Sequence, residues 1–538
     1  MFALGGQLIL CLFLALAAVP AFAGDLAVLA RPGPWPVADR LIAYRGRVWF
    51  STAVKGVDHN SADVWSFDPA QGDVRFERYL FSQDAGRPAV HKGLLYWPHE
   101  DMRIGVGHGV VSVTNGEGWR NLFVAAGDRM MHSHAVTEWR GKLVVAMAGW
   151  NSTLASSDDA GRSWDVLVND PPPTGSFHRY NDVAALSDRL FVRHWRDGGM
   201  ALTEYRDGAV TPVAGWPQDR FFSRFTRFGD SLYALVDGDD GGTELWRVGQ
   251  GDPERIEIDA GALTMQNLVS DGEALWIVAR TDEGGRLWRS TDGARFIAGD
   301  RFSGGLAYSA VALGPGRIYI GGEGLDGKAI LWGPRGGVAV APAEQAELPH
   351  QRPEAAERFD AVREARRLRQ VLRAPESYSD HGRPLAEAMR AALDANPPPD
   401  FFASLLDVRV PARQVAVFGG QDSVQARDLA AWHLFAAMAQ HHVAAVPPRY
   451  LSAPWERQPN RPQKWFDPLL TALHAVHLSG QNDRATIDAL IGRLHRTDDP
   501  DWLRSQVTGT LTAITGQSFA YNHQAWKDWW AEARTDWS

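Results

Sequence analysis

The chain has 538 residues, 45% hydrophobic and 22% charged, which is the balance of a folded globular protein too long for one ordinary domain. Its 64 acidic residues outnumber 55 basic ones, and the net charge of −9 argues against nucleic-acid binding, because phosphate contacts need a basic surface. Cys11 is the single cysteine, so no disulfide bond within the chain can stabilise the fold.

The first 23 residues have the pattern of an export signal. Residues 8–18 form an apolar run, Pro20 interrupts it, and Ala21-Phe22-Ala23 is a small-residue cleavage site. We therefore predict cleavage after Ala23 and a periplasmic or secreted mature protein without an integral membrane span. Because the first residues lack a basic charge, an uncleaved anchor is the alternative, although the run is short for a membrane span.

Short apolar strands then recur along the chain. They begin at Val48, Leu95, Leu143, Leu190, Leu232, Leu275 and Ile318, which are 47, 48, 47, 42, 43 and 43 positions apart. A period in the forties is that of a four-stranded β-propeller blade. We predict a seven-bladed β-propeller over residues 24–345, with segment 26–29 pairing with the last blade to close the ring. An irregular β-rich domain with chance spacing is the alternative.

A second repeated feature supports the same period. Residues 157–164 read Ser-Asp-Asp-Ala-Gly-Arg-Ser-Trp, and degenerate versions begin at Ser66, Ser112 and Ser290. A short carboxylate can order such a turn, glycine permits its positive φ, and tryptophan begins the next strand. The stretch resembles the Asp box of sialidase-type (BNR) propellers. That resemblance places it between the third and fourth strands of a blade, opposite the ligand face, in a structural role.

Nine residues before each apolar strand lies a mostly polar position, and two residues later an apolar one. The polar positions are Asp39, Gly86, His134, Asn181, Ser223, Gln266 and Ser309. Such alternation is typical of a strand that enters a buried core, so we predict that these residues surround the mouth of the central channel. Polar residues are also expected there simply because propeller channels contain water.

Histidine, arginine, amide and aromatic residues concentrate in the predicted loops of blades 2 to 4. The candidate ligand-binding residues are Arg87, His99, Asp101, His132, His134, Arg179, Tyr180, Asn181, His194 and Arg224. This mixture suits a polar, carbohydrate-like or anionic ligand. The spacing of His132 and His134 also suits a metal, but ordinary hydrogen-bonded histidines are the preferred interpretation, and we predict neither a metal nor a cofactor.

From residue 346 to 538 glycine becomes rare and helical spacing replaces alternation. The predicted helices are 354–372, 385–393, 427–445, 465–478, 485–494, 502–514 and 524–534. The final stretch, from Ile514 to Trp530, resembles the last unit of bacterial HEAT-like helical repeat proteins. The resemblance implies an α-helical domain that presents a surface to other proteins.

The preferred function is an exported, non-catalytic binding or scaffold protein. Its propeller loop face would bind a glycan, peptide or protein, and its helical domain would contact proteins; the oligomeric state is left open. The resemblance to sialidase-type propellers implies the alternative, a glycoside hydrolase or polysaccharide lyase. That chemistry would need Arg87, Arg179 and Arg224 clustered near Tyr180, with Asp101 or Asp182 as the acid. The Arg-Ile-Pro motif of such enzymes is missing, since the first blade reads Asp-Arg-Leu at residues 39–41.

Overall fold

The structure is a computed structural model that describes residues 25–53, 62–100, 109–124, 130–149, 151–172, 178–197, 199–258, 264–281, 284–337, 346–351, 359–398, 400–417, 422–440, 446–455 and 466–537. The expected signal peptide and Asp101 lie outside these residues. Within the described ranges, no helix has both the length and the apolar character needed to cross a membrane.

The part of the chain before residue 338 consists of β-strands. They are β1 (Ala27–Ala30), β2 (Val37–Tyr44), β3 (Arg47–Ala53), β4 (Asp63–Asp68), β5 (Asp73–Tyr79), β6 (Asp84–Ala85), β7 (Ala89–His91), β8 (Leu94–Glu100), β9 (Gly109–Thr114), β10 (Trp119–Val124), β11 (Met130–Trp139), β12 (Lys142–Gly149), β13 (Ser152–Ser157), β14 (Asp165–Asp170), β15 (His178–Leu186), β16 (Arg189–Arg196), β17 (Gly199–Arg206), β18 (Ala209–Pro212), β19 (Thr226–Phe228), β20 (Ser231–Asp237), β21 (Thr243–Val248), β22 (Glu254–Ile256), β23 (Thr264–Ser270), β24 (Leu275–Thr281), β25 (Gly284–Ser290), β26 (Ile297–Phe302), β27 (Gly305–Ala312), β28 (Ile318–Gly324) and β29 (Ala329–Gly333).

These strands form a seven-bladed β-propeller, as the period predicts. Blade 1 is β2–β5, blade 2 is β6–β10, and blades 3 to 6 are β11–β14, β15–β18, β19–β22 and β23–β26. The first strands of neighbouring blades, such as β11 and β15, lie against each other and line the centre. Blade 7 contains β27, β28, β29 and β1, so the N-terminal strand closes the ring as predicted.

The repeated apolar strands of the sequence are the second strands of the blades. Every residue of the seven triplets that begin at Val48, Leu95, Leu143, Leu190, Leu232, Leu275 and Ile318 is buried. Within these triplets, the indoles of Trp49, Trp97 and Trp276 pack between blades. Burial of such aromatic bodies supplies the main apolar stabilisation of each blade.

The turn between β13 and β14 is held by its own side chains. Ser157 Oγ donates to Asp159 Oδ1 at 2.7 Å, and the Ser163 amide donates to the same oxygen at 2.9 Å. Gly161, at φ +94°, directs its amide to Ser157 Oγ at 2.7 Å. In the turn between β25 and β26, Asp292 Oδ1 accepts from two backbone amides in the same way. Both turns join the third and fourth strands of their blades.

The C-terminal part of the chain is mainly helical. Its helices are α1 (Ala361–Arg373), α2 (Arg383–Asp394), α3 (Ala426–Gln440), α4 (Pro448–Leu451), α5 (Pro468–Ser479), α6 (Arg484–Arg493), α7 (Asp501–Thr515) and α8 (His523–Ala533). Helix α5 lies between α3 and α7, and α6 contacts both α4 and α8. A hairpin of β30 (Gln414–Val417) and β31 (Asp422–Gln425), which the sequence analysis did not predict, precedes α3.

Local signals set the ends of the central helix α5. Asp467 accepts hydrogen bonds from the amides of Leu469 and Leu470 at 2.9 and 3.1 Å, and Pro468 occupies the first helical position. Gly480 ends the helix in the left-handed conformation. This is the usual arrangement of a carboxylate N-cap and a glycine C-cap.

The helical region packs on the outer edge of blade 1. Gly509 of α7 lies so close to β5 that a Cβ atom there would stand 2.3 Å from the Cβ of Tyr79. The Phe81 ring centroid lies 4.1 Å from that of His474 and 4.6 Å from that of His477, both on α5. These two histidines are therefore packing residues.

A second contact joins the C-terminal end of the chain to blade 1. The Tyr521 hydroxyl donates to the buried carboxylate of Asp63, which also accepts from the Thr52 hydroxyl and, at 2.9 Å, from the Trp65 indole. The Tyr521 ring packs edge-on against Phe76, with centroids 5.6 Å apart. Burial raises the pKa of Asp63 to about 7.

The segment that links the two parts covers the edge of blade 2. The Phe123 amide donates to Gln351 Oε1 at 2.6 Å, and Gln351 Nε2 donates to the carbonyls of Phe123 and Gly161, each at 2.9 Å. The Ala346 carbonyl accepts from Asn115 at 3.2 Å. Residues 346–351 thus satisfy backbone groups of the outermost strand, β10, that an open sheet edge would leave unpaired.

Candidate functional site

Strands alternate in direction within each blade, so the starts of the first and third strands and the ends of the second and fourth lie at one face of the ring, which we call the loop face. Most candidate residues lie on first strands or on the segments that enter them: Arg87, His132, His134, Arg179, Tyr180, Asn181 and Arg224. His99 and His194 lie near the ends of second strands. The structure therefore brings the described candidates to one face. Asp101 lies outside the described residues.

The first strands of five blades have a β-bulge near the loop face. Their pairing with the second strands skips His134 in β11, Asn181 in β15, Gln266 in β23, Tyr308 in β27, and Arg40 with Leu41 in β2. A bulge adds a residue and re-aims neighbouring side chains, often beside a functional site. Three members of the predicted polar column are thus bulge residues. The positions of the polar column therefore coincide in part with β-bulges in the first strands.

Arg87 joins blade 2 to blades 3, 4 and 5. It follows the short strand β6, and its backbone pairs with that of β11 in blade 3. Its guanidinium lies 3.0 and 3.1 Å from the two oxygens of Asp182, a fully buried carboxylate, and donates to the Phe225 carbonyl at 2.9 Å. Gly86 allows this approach, because a Cβ there would stand 2.5 Å from the His134 carbonyl oxygen.

A second arginine, Arg40, lies at the centre of another charged cluster. It contacts the carboxylates of Asp39 at 3.1 Å and Asp84 at 3.2 Å and donates to the Ala85 carbonyl at 2.7 Å. Burial is the largest single influence and opposes its charge, but the surrounding carboxylates, of which Asp39 and Asp84 act most strongly, together outweigh burial and raise the pKa of Arg40. Arg224 approaches the same Asp39 at 4.0 Å. Arginines and carboxylates around the channel mouth therefore largely neutralise one another.

The candidate histidines are held in the neutral form. His132 and His134 stack with ring centroids 5.3 Å apart, and burial lowers the pKa of each well below its usual value. Burial, with the nearby charge of Arg78, lowers the pKa of His99 to about 3, and its Nε2 lies 2.8 Å from Ser112 Oγ. These side chains can exchange hydrogen bonds with a ligand but do not present positive charge at neutral pH.

Three side chains with possible metal-ligand atoms meet in the seam between blades 3 and 4. Asp170 ends β14, His178 begins β15, and His194 lies on β16, and one donor atom of each lies within 4.8 Å of the others. The hydroxyl of the buried Tyr180 donates to Asp170 Oδ2 at 3.1 Å. Burial, followed by the charge of His178, lowers the pKa of His194 to about 4. We call Asp170, His178 and His194 the seam cluster.

An aromatic row extends from blade 4 toward blade 5. The Arg179 guanidinium lies 5.8 Å from the centre of the Trp195 ring, and that ring lies 6.4 Å from Phe221. Phe221 is 43% exposed, although large apolar residues are usually covered in a folded domain. We call Arg179, Trp195 and Phe221 the aromatic row. The Trp195 and Phe221 rings meet edge to face at 64°, so the row presents a partly apolar surface beside a cationic group.

The structure adds residues that the sequence analysis did not select. Arg40, Asp84 and Arg193 belong to the charged region around the channel, and Asp170 and Phe221 to the seam and the row. Arg193 donates to the Phe222 carbonyl at 2.9 Å. Arg40 directly follows Asp39 of the polar column, so the position of Asp39 in the sequence could have indicated Arg40 as a site residue. No sequence pattern indicated Asp170, because it lies in blade 3 whereas His178 and His194 lie in blade 4.

The sequence matches no protein-family model and no curated protein. Solved β-propellers resemble it in fold. YCF48 bound to a D1 peptide has 14% identity over 60% of this chain and 99% of that one, with a TM-score of 0.42. The β-propeller domain of the Trilobed protease from Pyrococcus furiosus has 9% identity over 56% and 96% of the two chains, with a TM-score of 0.38. Regucalcin from Agrobacterium tumefaciens has 18% identity over 47% and 91%, with a TM-score of 0.31.

Proposed function

We propose that this protein is an exported, non-catalytic binding protein whose loop face holds a peptide segment of a partner protein. The aromatic row is the observation that supports this function. Exposed aromatic side chains next to arginine are the residues that most often dominate protein–protein binding energy. The exposed Phe221, in particular, provides an apolar anchor beside a cationic group.

Further exposed apolar groups lie on the same face in blade 7. Leu306 and Tyr308 are each 37% exposed near the start of β27, and Leu325 is 88% exposed between β28 and β29. Most other large exposed apolar residues in the described part, such as Ile297 and Val166, lie on outermost strands instead. Apolar side chains on both sides of the channel suit an extended ligand that crosses the ring. An extended peptide with apolar side chains meets this requirement.

The arrangement of the charged groups favours binding over hydrolysis. Arg87 is engaged by Asp182, and the Tyr180 hydroxyl donates to Asp170 rather than facing the channel. Tyr180 is fully buried, and burial, together with the charge of Asp170, raises its pKa, so its hydroxyl is a poor nucleophile. A sialidase-like hydrolase or a lyase is the alternative, and it would need these groups to rearrange.

The helical region is proposed as a second protein-binding surface of the HEAT-like kind. Its described contacts with the propeller lie on blades 1 to 3, whereas the aromatic row lies on blades 4 and 5. A partner can therefore reach the row while the helices remain packed. The N-terminal sequence supports export, which places both surfaces in the periplasm or outside the cell.

Site-specific photo-crosslinking tests the peptide-binding face. A benzophenone amino acid replaces Phe221 or Tyr308 and, as the control, Ile297, which is 61% exposed at the start of β26 on the opposite face. We expect one polypeptide to crosslink from both loop-face positions and not from residue 297. Arg224→Ala is expected to weaken that crosslink about 10-fold or more, as loss of an interface arginine typically does.

Two results would contradict this function. Equal crosslinking from residue 297 would show that the loop face is not selective. Binding of a labelled oligosaccharide array that depends on Phe221, without any crosslinked polypeptide, would assign the face to a glycan instead. Cleavage of such an oligosaccharide by the purified protein would support the hydrolase or lyase alternative.

A further inference from the structure

The seam cluster has the composition of a transition-metal site. Two imidazoles and one carboxylate come from the end of β14, the start of β15 and the end of β16, so their convergence depends on the packing of blade 4 against blade 3. The donor atoms all lie within 4.8 Å of one another. In a bound site, bonds of about 2.0–2.2 Å would hold donors roughly 3–3.5 Å apart, so modest side-chain rotation completes the geometry.

Each of the two imidazoles has one nitrogen that no described residue satisfies. His178 Nδ1 and His194 Nε2 are buried and have no hydrogen-bond partner among the described residues. The His194 side chain is more than nine-tenths buried, and its ring centroid lies 5.0 Å from that of His178. Buried polar atoms usually have a partner, so these two nitrogens are available to a ligand bound near Asp170.

Neighbouring groups lie beside two of the ligand side chains. The Asp197 carboxylate lies 3.7 Å from His178 Nε2, whereas His178 Nδ1 is the buried nitrogen without a described partner. Tyr180 donates to Asp170 Oδ2 and fixes the carboxylate. Carboxylate–histidine pairs and hydrogen-bonded ligand carboxylates are the usual outer partners of metal sites.

We propose that Asp170, His178 and His194 bind one divalent transition-metal ion of the zinc class. Imidazole ligands favour zinc and its neighbours, whereas calcium and magnesium prefer sites made wholly of oxygen atoms. Three protein ligands leave a fourth position open, as in zinc sites that also bind water or a ligand carboxylate. The ion would join blade 3 to blade 4 beside the aromatic row. The proposal goes beyond the sequence-based expectation of no metal and does not depend on the peptide-binding function.

Calorimetric titration of ZnCl2 into tag-free, EDTA-treated and dialysed protein tests the proposal. We expect about one equivalent of tight binding, as a single site requires. Asp170→Asn, His178→Gln and His194→Gln are each expected to weaken binding by more than about 100-fold, and Tyr180→Phe by about 10-fold, as loss of an outer partner does. CoCl2 titration supplies a second readout, since visible absorption bands report nitrogen and oxygen ligands around cobalt.

His132→Gln is the matched control, because His132 is a buried histidine of the same face outside the seam cluster. It is expected to leave the zinc titration unchanged, and circular dichroism of each variant establishes that the fold is retained. Absence of stoichiometric zinc binding by the unsubstituted protein would overturn the proposal. So would wild-type affinity in His194→Gln, or a loss of binding confined to His132→Gln, which would move the site to the stacked His132–His134 pair.

Discussion

The packing of helix α7 on blade 1 predicts that Gly509→Ala destabilises the protein. In an exposed helix interior, replacing glycine by alanine stabilises by about 1 kcal/mol, because alanine has the better helix propensity. At Gly509 the added Cβ would stand 2.3 Å from the Cβ and 2.7 Å from the Cγ of Tyr79. These atoms lie next to the strand backbone, so the helix and the strand must move apart by roughly 1 Å to reach ordinary contact.

Overpacking of this kind costs typically about 1–3 kcal/mol. Subtracting the helix-propensity gain of about 1 kcal/mol leaves a net loss of up to about 2 kcal/mol in the free energy of unfolding. The matched control is Gly492→Ala in α6, where a Cβ meets nothing within 4 Å. That substitution is expected to stabilise by about 0.5–1 kcal/mol, so the two alanines should have opposite signs.

Urea unfolding followed by circular dichroism at the helical signal measures both variants against the parent protein. Limited proteolysis between residues 338 and 358 gives a second readout, because weaker docking of the helices is expected to speed cleavage in Gly509→Ala. If both alanines stabilise the protein equally, the close approach of α7 to β5 is wrong. The proposed arrangement of the helical region on the propeller would then fail with it.

Two further predictions concern buried and turn carboxylates. Because burial raises the pKa of Asp63 from 3.8 to about 7, the folded protein holds a proton there that the unfolded chain releases. Its contribution is greatest below about pH 4 and is lost as pH rises to about 7, by up to roughly 4 kcal/mol. Asp63→Asn should remove that slope from urea unfolding measured across this range, and an unchanged slope would refute the assignment. Asp159→Ala, which removes the acceptor of the β13–β14 turn, should cost about 1–2 kcal/mol in thermal unfolding. The exposed neighbour Asp158→Ala should stay within about 0.5 kcal/mol, and equal effects of both would contradict a structural role for Asp159.

The interface between helices and propeller illustrates what sequence patterns could not supply. Helical spacing predicted most helices of the C-terminal region to within a few residues. Which strand they meet was not predictable, because Phe81 and Gly509 belong to contacts more than 390 residues apart in the chain. Packing between distant segments depends on shape in three dimensions, which no local pattern encodes.

The hairpin β30–β31 was missed for a different reason. The sequence Gln-Val-Ala-Val at residues 414–417 alternates over only four positions, between helices with a stronger apolar signal. So short a run carries little information about its conformation, and tertiary contacts with the short 3₁₀ helix Asp380–Gly382 decide it.

The sequence alone determined the number of blades, the buried second strands and the closure of the ring by segment 26–29. These features follow from burial repeated at a fixed period, and the local alternation of apolar residues indicates which residues are buried. Only the tertiary structure decided which side chains meet at the loop face. A bulge shifts every following side chain of a strand, so the same sequence spacing places His134 and Ser309 differently relative to their second strands. The seam cluster and the pairing of Arg87 with Asp182 arise between blades, where the radial packing of the ring sets the neighbours.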